Sequence, residues 1–165
     1  NRAAVVPMRG KSKSGIVVKG IHDLAVRFSK CCNPVPGDEI VGFVTRGRGV
    51  TIHRTDCINV LNLPEMERNR LIDAEWQAEE DEKGTATYAT EISIYANNRI
   101  GMYVDIARIF TEREIDVTNM NARTNKQGKA TITMSFDIHG TEELNTLMAK
   151  IRQIDGVLDI ERTTG

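Results

Sequence analysis

Three cysteines and a histidine stand close together in one basic stretch, KCCNPVPGDEIVGFVTRGRGVTIHRTDC, which runs from Lys30 to Cys57. Thiolates and imidazole are typical ligands of zinc. His53 and Cys57 form a workable half-site, with Cys32 as a third ligand and Cys31 as a further candidate. Adjacent cysteines in an extended chain point to opposite faces, which argues against Cys31 and Cys32 sharing one ion. Zinc binding and burial of the cysteines as small hydrophobic residues therefore both remain open.

Two turns predict how these residues come together. Val35-Pro36-Gly37-Asp38 has proline and glycine at the central positions of a tight turn, and Arg46-Gly47-Arg48-Gly49 is a second glycine turn. Residues with β-propensity lie between and after them, which predicts a hairpin over residues 39–45 and 50–52. The hairpin would carry His53 and Cys57 back toward Cys31 and Cys32.

The same stretch is rich in cations that could contact a polyanion. Residues 1–63 carry 10 Lys and Arg against 4 Asp and Glu, and the remaining residues carry 12 against 19. A basic N-terminal part and an acidic C-terminal part suggest two modules with different partners. Side chains at turns reach solvent, and glycines allow backbone N–H groups to approach phosphate. The residues predicted to contact the polyanion, which the family resemblance described below implies is RNA, are Lys30, Arg46, Arg48, His53 and Arg54.

Other chemistry of the cysteines is less well supported. Three is an odd number for disulfides, and no secretory signal is visible, so we expect a cytoplasmic protein. A Cys–His nucleophile needs an activating partner and a cleft, and only Asp56 is available. A zinc- or thiol-dependent enzyme nevertheless stays an alternative.

The composition indicates two folded modules and two linkers. Residues 1–14 have no periodicity and predict a linker, residues 15–78 a small β-rich module, residues 79–84 an acidic linker, and residues 85–165 a second module. No apolar run is long enough to span a bilayer. The first residue is Asn1, so we expect a piece of a longer polypeptide.

The second module has a regular βαββαβ pattern. Strict alternation over residues 130–138 predicts a strand with one buried face, and residues 115–122 predict a strand with a bulge near Asn119. Tyr103, Ile106, Ala107 and Phe110 form one face of a helix over residues 101–114, and Thr141 should cap a second helix. Two such helices on one face of an antiparallel sheet give an α+β, ferredoxin-like fold.

One loop of this module is a candidate ligand site. It joins the first strand to the first helix, whose free N–H groups and positive dipole end suit a carboxylate. Asparagines of the bulged strand could contact the polar end of an amino acid. Alternatively, the Asn-rich turn merely caps the helix. The predicted ligand-binding residues are Asn97, Asn98, Arg99, Ile100, Gly101, Met102, Asn119 and Asn121.

The cysteine stretch resembles the conserved-cysteine module of long RelA/SpoT homologues, which is also called the zinc-finger or ribosome-intersubunit domain. Residues 85–163 resemble the ACT domain that follows it. The resemblance implies a regulatory region of a (p)ppGpp synthetase/hydrolase of the stringent response, without the catalytic domains. It further implies contact with ribosomal RNA, an ACT homodimer and binding of a branched-chain amino acid. Many ACT domains have proline where this chain has Ile100, and an ACT domain that only dimerises, without ligand, is the rival interpretation.

Overall fold

The computed structural model describes residues 16–18, 25–47, 49–76 and 86–163. The predicted linkers at 1–14 and 79–84 lie outside these residues, as does Arg48. Within the described part, the helices are too short or too polar to cross a membrane.

The first module is a five-stranded sheet with the strand order β1-β5-β3-β4-β2. Its strands are β1 (Ile16–Val18), β2 (Ala25–Phe28), β3 (Ile40–Val44), β4 (Gly49–Arg54) and β5 (Leu71–Trp76). The predicted hairpin is confirmed as β3 and β4, which pair antiparallel, whereas β2 lies parallel to β4 at the sheet edge. A short helix α1 (Ile58–Leu61) and a 3-10 helix (Glu65–Arg70) join β4 to β5.

The two faces of this sheet have different contents. One face buries an apolar cluster that includes Val50, Ile52 and Ala74. The alternate residues lie on the opposite face, which we call the cysteine face because Cys32, Cys57 and Val60 form a second buried cluster against it. This division follows from the two-residue period of a strand.

The second module is the predicted α+β, ferredoxin-like fold, with all strands antiparallel and the order β7-β8-β6-β9. Its elements are β6 (Tyr88–Asn97), α2 (Met102–Glu112), β7 (Val117–Thr124), β8 (Lys129–Ile138), α3 (Thr141–Arg152) and β9 (Val157–Arg162). Alternate residues of β8 are buried against both helices. The bulge is confirmed as a register shift between Val117 and Asn119.

Two local expectations are wrong. Ala107, expected on the apolar face of α2, is exposed, and the buried residues of that helix are Met102, Ile106 and Phe110. Thr141 is the first residue of α3 rather than its cap, because Gly140 occupies the cap position without a side-chain hydrogen bond.

The loop between β2 and β3 packs against the second module. Val35 in this loop is fully buried within the core of the second module. Trp76 of β5 stacks on Phe28 and meets the edge of Tyr88 in β6, with ring centroids 5.6 Å and 5.5 Å apart. The described part of the chain therefore packs as two sheets connected by a buried junction.

Candidate functional site

The three cysteines and His53 converge at one end of the cysteine face. Because β2 and β4 are parallel, both end at the same edge, where Cys31 and Cys32 follow β2 and His53 lies near the end of β4. Cys57 follows in the turn before α1. The ligand atoms of all four residues lie within 4.8 Å of one another.

The distances in this cluster fit a tetrahedral metal. Cys31 Sγ lies 3.4 Å from both His53 Nδ1 and Cys57 Sγ, and Cys32 Sγ lies 3.8 Å from His53 Nδ1. Zinc bonds of about 2.3 Å to sulfur and 2.0–2.1 Å to nitrogen give tetrahedron edges of about 3.5–3.8 Å. The cluster thus has the donor set for one four-coordinate ion, three pairs of its ligand atoms lie near these edge lengths, and Cys31 is one of the four candidate ligands.

The argument that Cys31 and Cys32 cannot share an ion is wrong because its premise, an extended chain, does not hold. Residues 30–32 form a turn that is closed by a 3.0 Å hydrogen bond from Asn33 N to Ser29 O. Asn33 then takes a positive φ of 46°, which asparagine tolerates better than most residues. The turn brings both thiols to the same side.

Hydrogen bonds support the sulfur atoms from outside the cluster. The backbone N–H of Arg54 donates to Cys32 Sγ at 3.3 Å, and Ser29 Oγ lies 2.7 Å from Cys31 Sγ. Such donors favour a thiolate ligand and hold it in orientation.

Proton affinities differ across the cluster. Burial, with the neighbouring cysteines, raises the pKa of Cys32 to about 12, and burial also raises the pKa of Cys57. Burial opposes ionisation of Cys31 too, but hydrogen bonds led by Ser29 and Asn59 leave its pKa below 9.0. Burial lowers the pKa of His53, so its imidazole is neutral and able to bind a metal.

The predicted RNA-binding residues do not form one surface. Lys30 and Arg46 are exposed, whereas the half-buried His53 turns Nδ1 toward the cysteines. The expectation that Arg54 reaches solvent is wrong. Its side chain is 8% exposed and forms an ion pair with Asp56 at 2.6 Å, and it also donates to Cys32 O and Thr163 O.

Sequence reasoning missed two cations on the cysteine face. Arg27, Thr51 and Phe43 lie side by side on three adjacent strands, and the guanidinium of Arg70 lies 4.8 Å from the Phe43 ring centre. The polar position of Arg27 in the alternation of β2 was visible in the sequence. No local pattern placed Arg70 over Phe43.

The predicted loop of the second module connects β6 to α2 as expected. Gly101 precedes the helix with a positive φ of 82°, and only Arg99 Nη1, at 3.7 Å, would come near a side chain there. Arg99 holds the loop through Asp155 O and an ion pair of 2.8 Å with Asp105. Ile100 is fully exposed, whereas Met102 is buried.

The remaining predicted ligand residues are divided between this loop and a distant strand. Asn97 Oδ1 accepts a hydrogen bond from Lys129, and Asn98 N donates to Gly128 O. Asn121 pairs with Thr133, four residues along β8 from the partner of Asn97. With about 4.8 Å between strands and 3.3 Å per residue, Asn121 lies about 16 Å from Asn97, and Asn119 lies farther still. One chain does not bring these residues together.

Comparison with known proteins identifies both modules. The family model described as "RelA/SpoT RIS domain" matches residues 16–77, and an ACT domain model matches residues 84–162. A GTP pyrophosphokinase of Escherichia coli K12 is 35% identical over 95% of this chain, and one of Streptomyces coelicolor is 32% identical over 98%. The chain spans only 21% and 19% of their lengths. A crystal structure of the ACT domain from GTP pyrophosphokinase of Chlorobium tepidum aligns with 47% of this chain and 99% of its own, at 25% identity and a TM-score of 0.43.

Proposed function

The chain belongs to the RelA/SpoT family as its regulatory RIS–ACT region, and on this premise we propose that it senses two signals for catalytic domains elsewhere in a (p)ppGpp synthetase/hydrolase. The RIS domain contacts ribosomal RNA in the cytoplasm, and the ACT domain binds a small amino acid. Either ligand acts by binding one conformation more tightly than another. We also propose that the domain boundary lies in the acidic segment 79–84.

The exposed cations along the β2 edge of the RIS sheet are the observation that supports RNA binding. Arg27 lies in the middle of edge strand β2, Arg46 lies at the hairpin tip beside the start of β2, and Lys30 follows its end. The three cations therefore lie along one edge of the sheet. The distance from the start of β2 to Lys30 is about 17 Å, since each strand residue adds about 3.3 Å. Cations spread in this way suit consecutive phosphates, and Arg70 extends the surface across the sheet.

A salt series tests this surface. The variant Arg27→Gln/Arg46→Gln should bind purified ribosomes more weakly, and the slope of log affinity against log salt should become shallower by about 1.4–1.8 for two lost phosphate contacts. The matched control is Arg108→Gln/Arg123→Gln, which removes two exposed arginines of the ACT domain. Equal affinities and slopes for the two variants would refute the RNA assignment.

We propose that the Cys/His cluster holds a structural zinc ion. Cys31, Cys32, His53 and Cys57 would occupy all four positions of a tetrahedral site. A catalytic zinc keeps one position open for water or substrate, so this set disfavours the alternative of a zinc-dependent enzyme. The ion would fix the turn after β2 and thereby the position of Lys30.

We propose that the ACT domain binds a branched-chain amino acid at the loop 97–102. The open space at Gly101 and the N-terminus of α2 suit a carboxylate. Because Asn119 and Asn121 are remote in the same chain, they would come from the β7 strand of a second copy. β7 is an edge strand with almost every residue exposed, which leaves it accessible for such a homodimer.

Calorimetric titration with valine, leucine and isoleucine tests amino-acid binding, with lysine as a control ligand. Asn121→Ala should weaken binding, whereas Asn145→Ala, at an exposed position of α3, should not. A bound amino acid should also raise the melting temperature. If no ligand produces heat while the chain still dimerises in sedimentation, the dimerisation-only alternative is correct.

A further inference from the structure

The loop Cys31–Asp38, which we call the docking loop, starts at two of the metal-site cysteines and ends inside the contact with the ACT domain. Val35 is fully buried in the ACT core. Pro36 O accepts a 2.8 Å hydrogen bond from Thr141 N, and a Cβ added at Gly140 would lie 2.9 Å from the same oxygen. The far end of the docking loop is therefore seated tightly against the start of α3.

Two arginines, one from each domain, hold the docking loop, and the side chains of both are at most 13% exposed. Arg162 of the ACT strand β9 makes a two-pronged ion pair with Asp38, at 2.7 Å and 2.9 Å, and also donates to Asn33 O. Arg54 of the RIS domain donates to the carbonyl of Cys32 at 3.3 Å and to the carbonyl of Thr163 at 3.1 Å. Arg54 thus links a metal-site residue directly to the end of the ACT domain.

The docking loop is therefore part of both the proposed metal site and the junction between the domains. An ion bound by Cys31 and Cys32 would restrict the near end of the docking loop to the turn that the junction requires. Without the ion, the loop would sample other conformations. Docking would then cost the conformational entropy that is lost when the loop becomes ordered. Coupling of this kind is reciprocal, because each event that fixes the loop makes the other more favourable.

We propose that the docking loop couples zinc binding in the RIS domain to docking of the ACT domain, so that the metal-bound state is also the docked state. This inference rests on the proposed zinc site, and it adds a regulatory consequence. Removal of the ion by a chelator would release the ACT domain from its contact with the RIS domain and change how the two domains are oriented toward the rest of the protein.

Trp76 provides a built-in reporter of docking, since it is the only tryptophan of the chain. Its Nε1 donates to Asp38 O at 3.0 Å, and its ring contacts Tyr88 of the ACT domain. Release of the docking loop would expose the indole and remove this hydrogen bond. We therefore expect a red shift of tryptophan emission on undocking.

The decisive experiment measures zinc affinity in chains whose metal ligands are intact but whose junction is not. Gly140→Ala places a methyl group against Pro36 O, and its φ of 178° accepts any residue. Gly47→Ala is the matched control, because nothing lies within 4 Å of its added Cβ. Arg162→Gln removes the ion pair and has the exposed Arg123→Gln as its own control. Affinity is measured by competition with a chromophoric chelator while Trp76 emission is followed.

We expect the zinc dissociation constant of Gly140→Ala and Arg162→Gln to rise about fivefold or more over their controls, with red-shifted Trp76 emission. Removal of zinc from the unmodified chain should produce the same emission shift. If neither variant changes the zinc affinity by more than about twofold, the coupling is refuted. If the unmodified chain binds no zinc at all, both the proposed metal site and the proposed coupling are refuted.

Discussion

The four side chains of the Cys/His cluster hold their protons with unequal strength, and this decides how metal binding depends on pH. Burial raises the pKa of Cys32 to about 12 and also raises that of Cys57, so both are neutral thiols near pH 7 in the metal-free protein. A metal ion must displace these protons, because only the thiolate is a ligand.

We predict that the apparent zinc affinity rises steadily from pH 6 to pH 8. Above this range the affinity should continue to rise, since Cys32 releases its proton only near pH 12 in the metal-free protein. Calorimetry in buffers of different ionisation enthalpy should show about two or more protons released per zinc at pH 7, since both Cys32 and Cys57 must lose a proton. An affinity that is independent of pH, with no proton release, would exclude Cys32 as a ligand.

The residue types of the site were predictable, but their surroundings were not. Three cysteines and a histidine in one stretch made zinc one of two open interpretations, although their spacing argued against it, and the exposure of Lys30 and Arg46 followed from their positions at turns. The burial of Arg54 was not predictable from the sequence. It depends on hydrogen bonds to the carbonyls of Cys32 and Thr163, and Thr163 lies 109 residues away along the chain. A partner so distant leaves no local signal.

Strand β8 is the element that the sequence defines most clearly, because it alternates without interruption over its whole length. Its apolar residues face both helices, and Phe136 is fully buried with its ring 5.0 Å from that of Phe110. Its polar residues, such as Thr131, lie on the other face of the sheet.

We predict that Phe136→Ala lowers the free energy of unfolding by about 3–5 kcal/mol, because it removes a buried aromatic ring and leaves a cavity. Thr131→Ala, an exposed substitution in the same strand, should cost less than about 1 kcal/mol. Urea unfolding followed by circular dichroism measures both. Equal losses would contradict the assignment of β8 to the core of the ACT sheet.

Element types were predicted better than element pairing. The βαββαβ order, the bulge near Asn119 and the β3–β4 hairpin follow from periodicity and turn residues. The parallel pairing of β2 with β4 does not, since strand propensity carries no information about the partner. That pairing forms the Cys/His cluster, because it brings the end of β2 beside His53.

In the whole molecule, the junction between the domains is built on buried charge. The side chains of Arg162 and Asp38 are 13% and 10% exposed. Removal of one member of such a pair leaves the other charge buried without its partner, which typically costs more than the pair itself contributes.

We predict that Arg162→Gln and Asp38→Asn each lower the free energy of unfolding by about 3 kcal/mol, and that the double variant loses clearly less than the sum. A double-mutant cycle from urea unfolding provides the coupling energy. Additive losses would show that the two side chains do not interact across the junction in solution.

The division of charge along the sequence indicated two modules but not their contact. The basic N-terminal part and the acidic C-terminal part were expected to have different partners, and no local pattern indicated that the docking loop inserts Val35 into the ACT core. The loop looked like a simple turn because its proline and glycine explain the reversal completely. Its second role appears only when Asp38 and Arg162 are seen together.

The proposed zinc ion would fix both the turn after β2 and the coupling of the RIS domain to the ACT domain, so X-ray absorption at the zinc edge is the most direct test. The chain purified without chelator should show one zinc with three sulfur ligands at about 2.3 Å and one nitrogen ligand at about 2.0–2.1 Å. His53→Gln should lose the nitrogen ligand, whereas His139→Gln, outside the cluster, should retain it. A chain that purifies without zinc, or a shell dominated by oxygen and nitrogen, would contradict the metal centre.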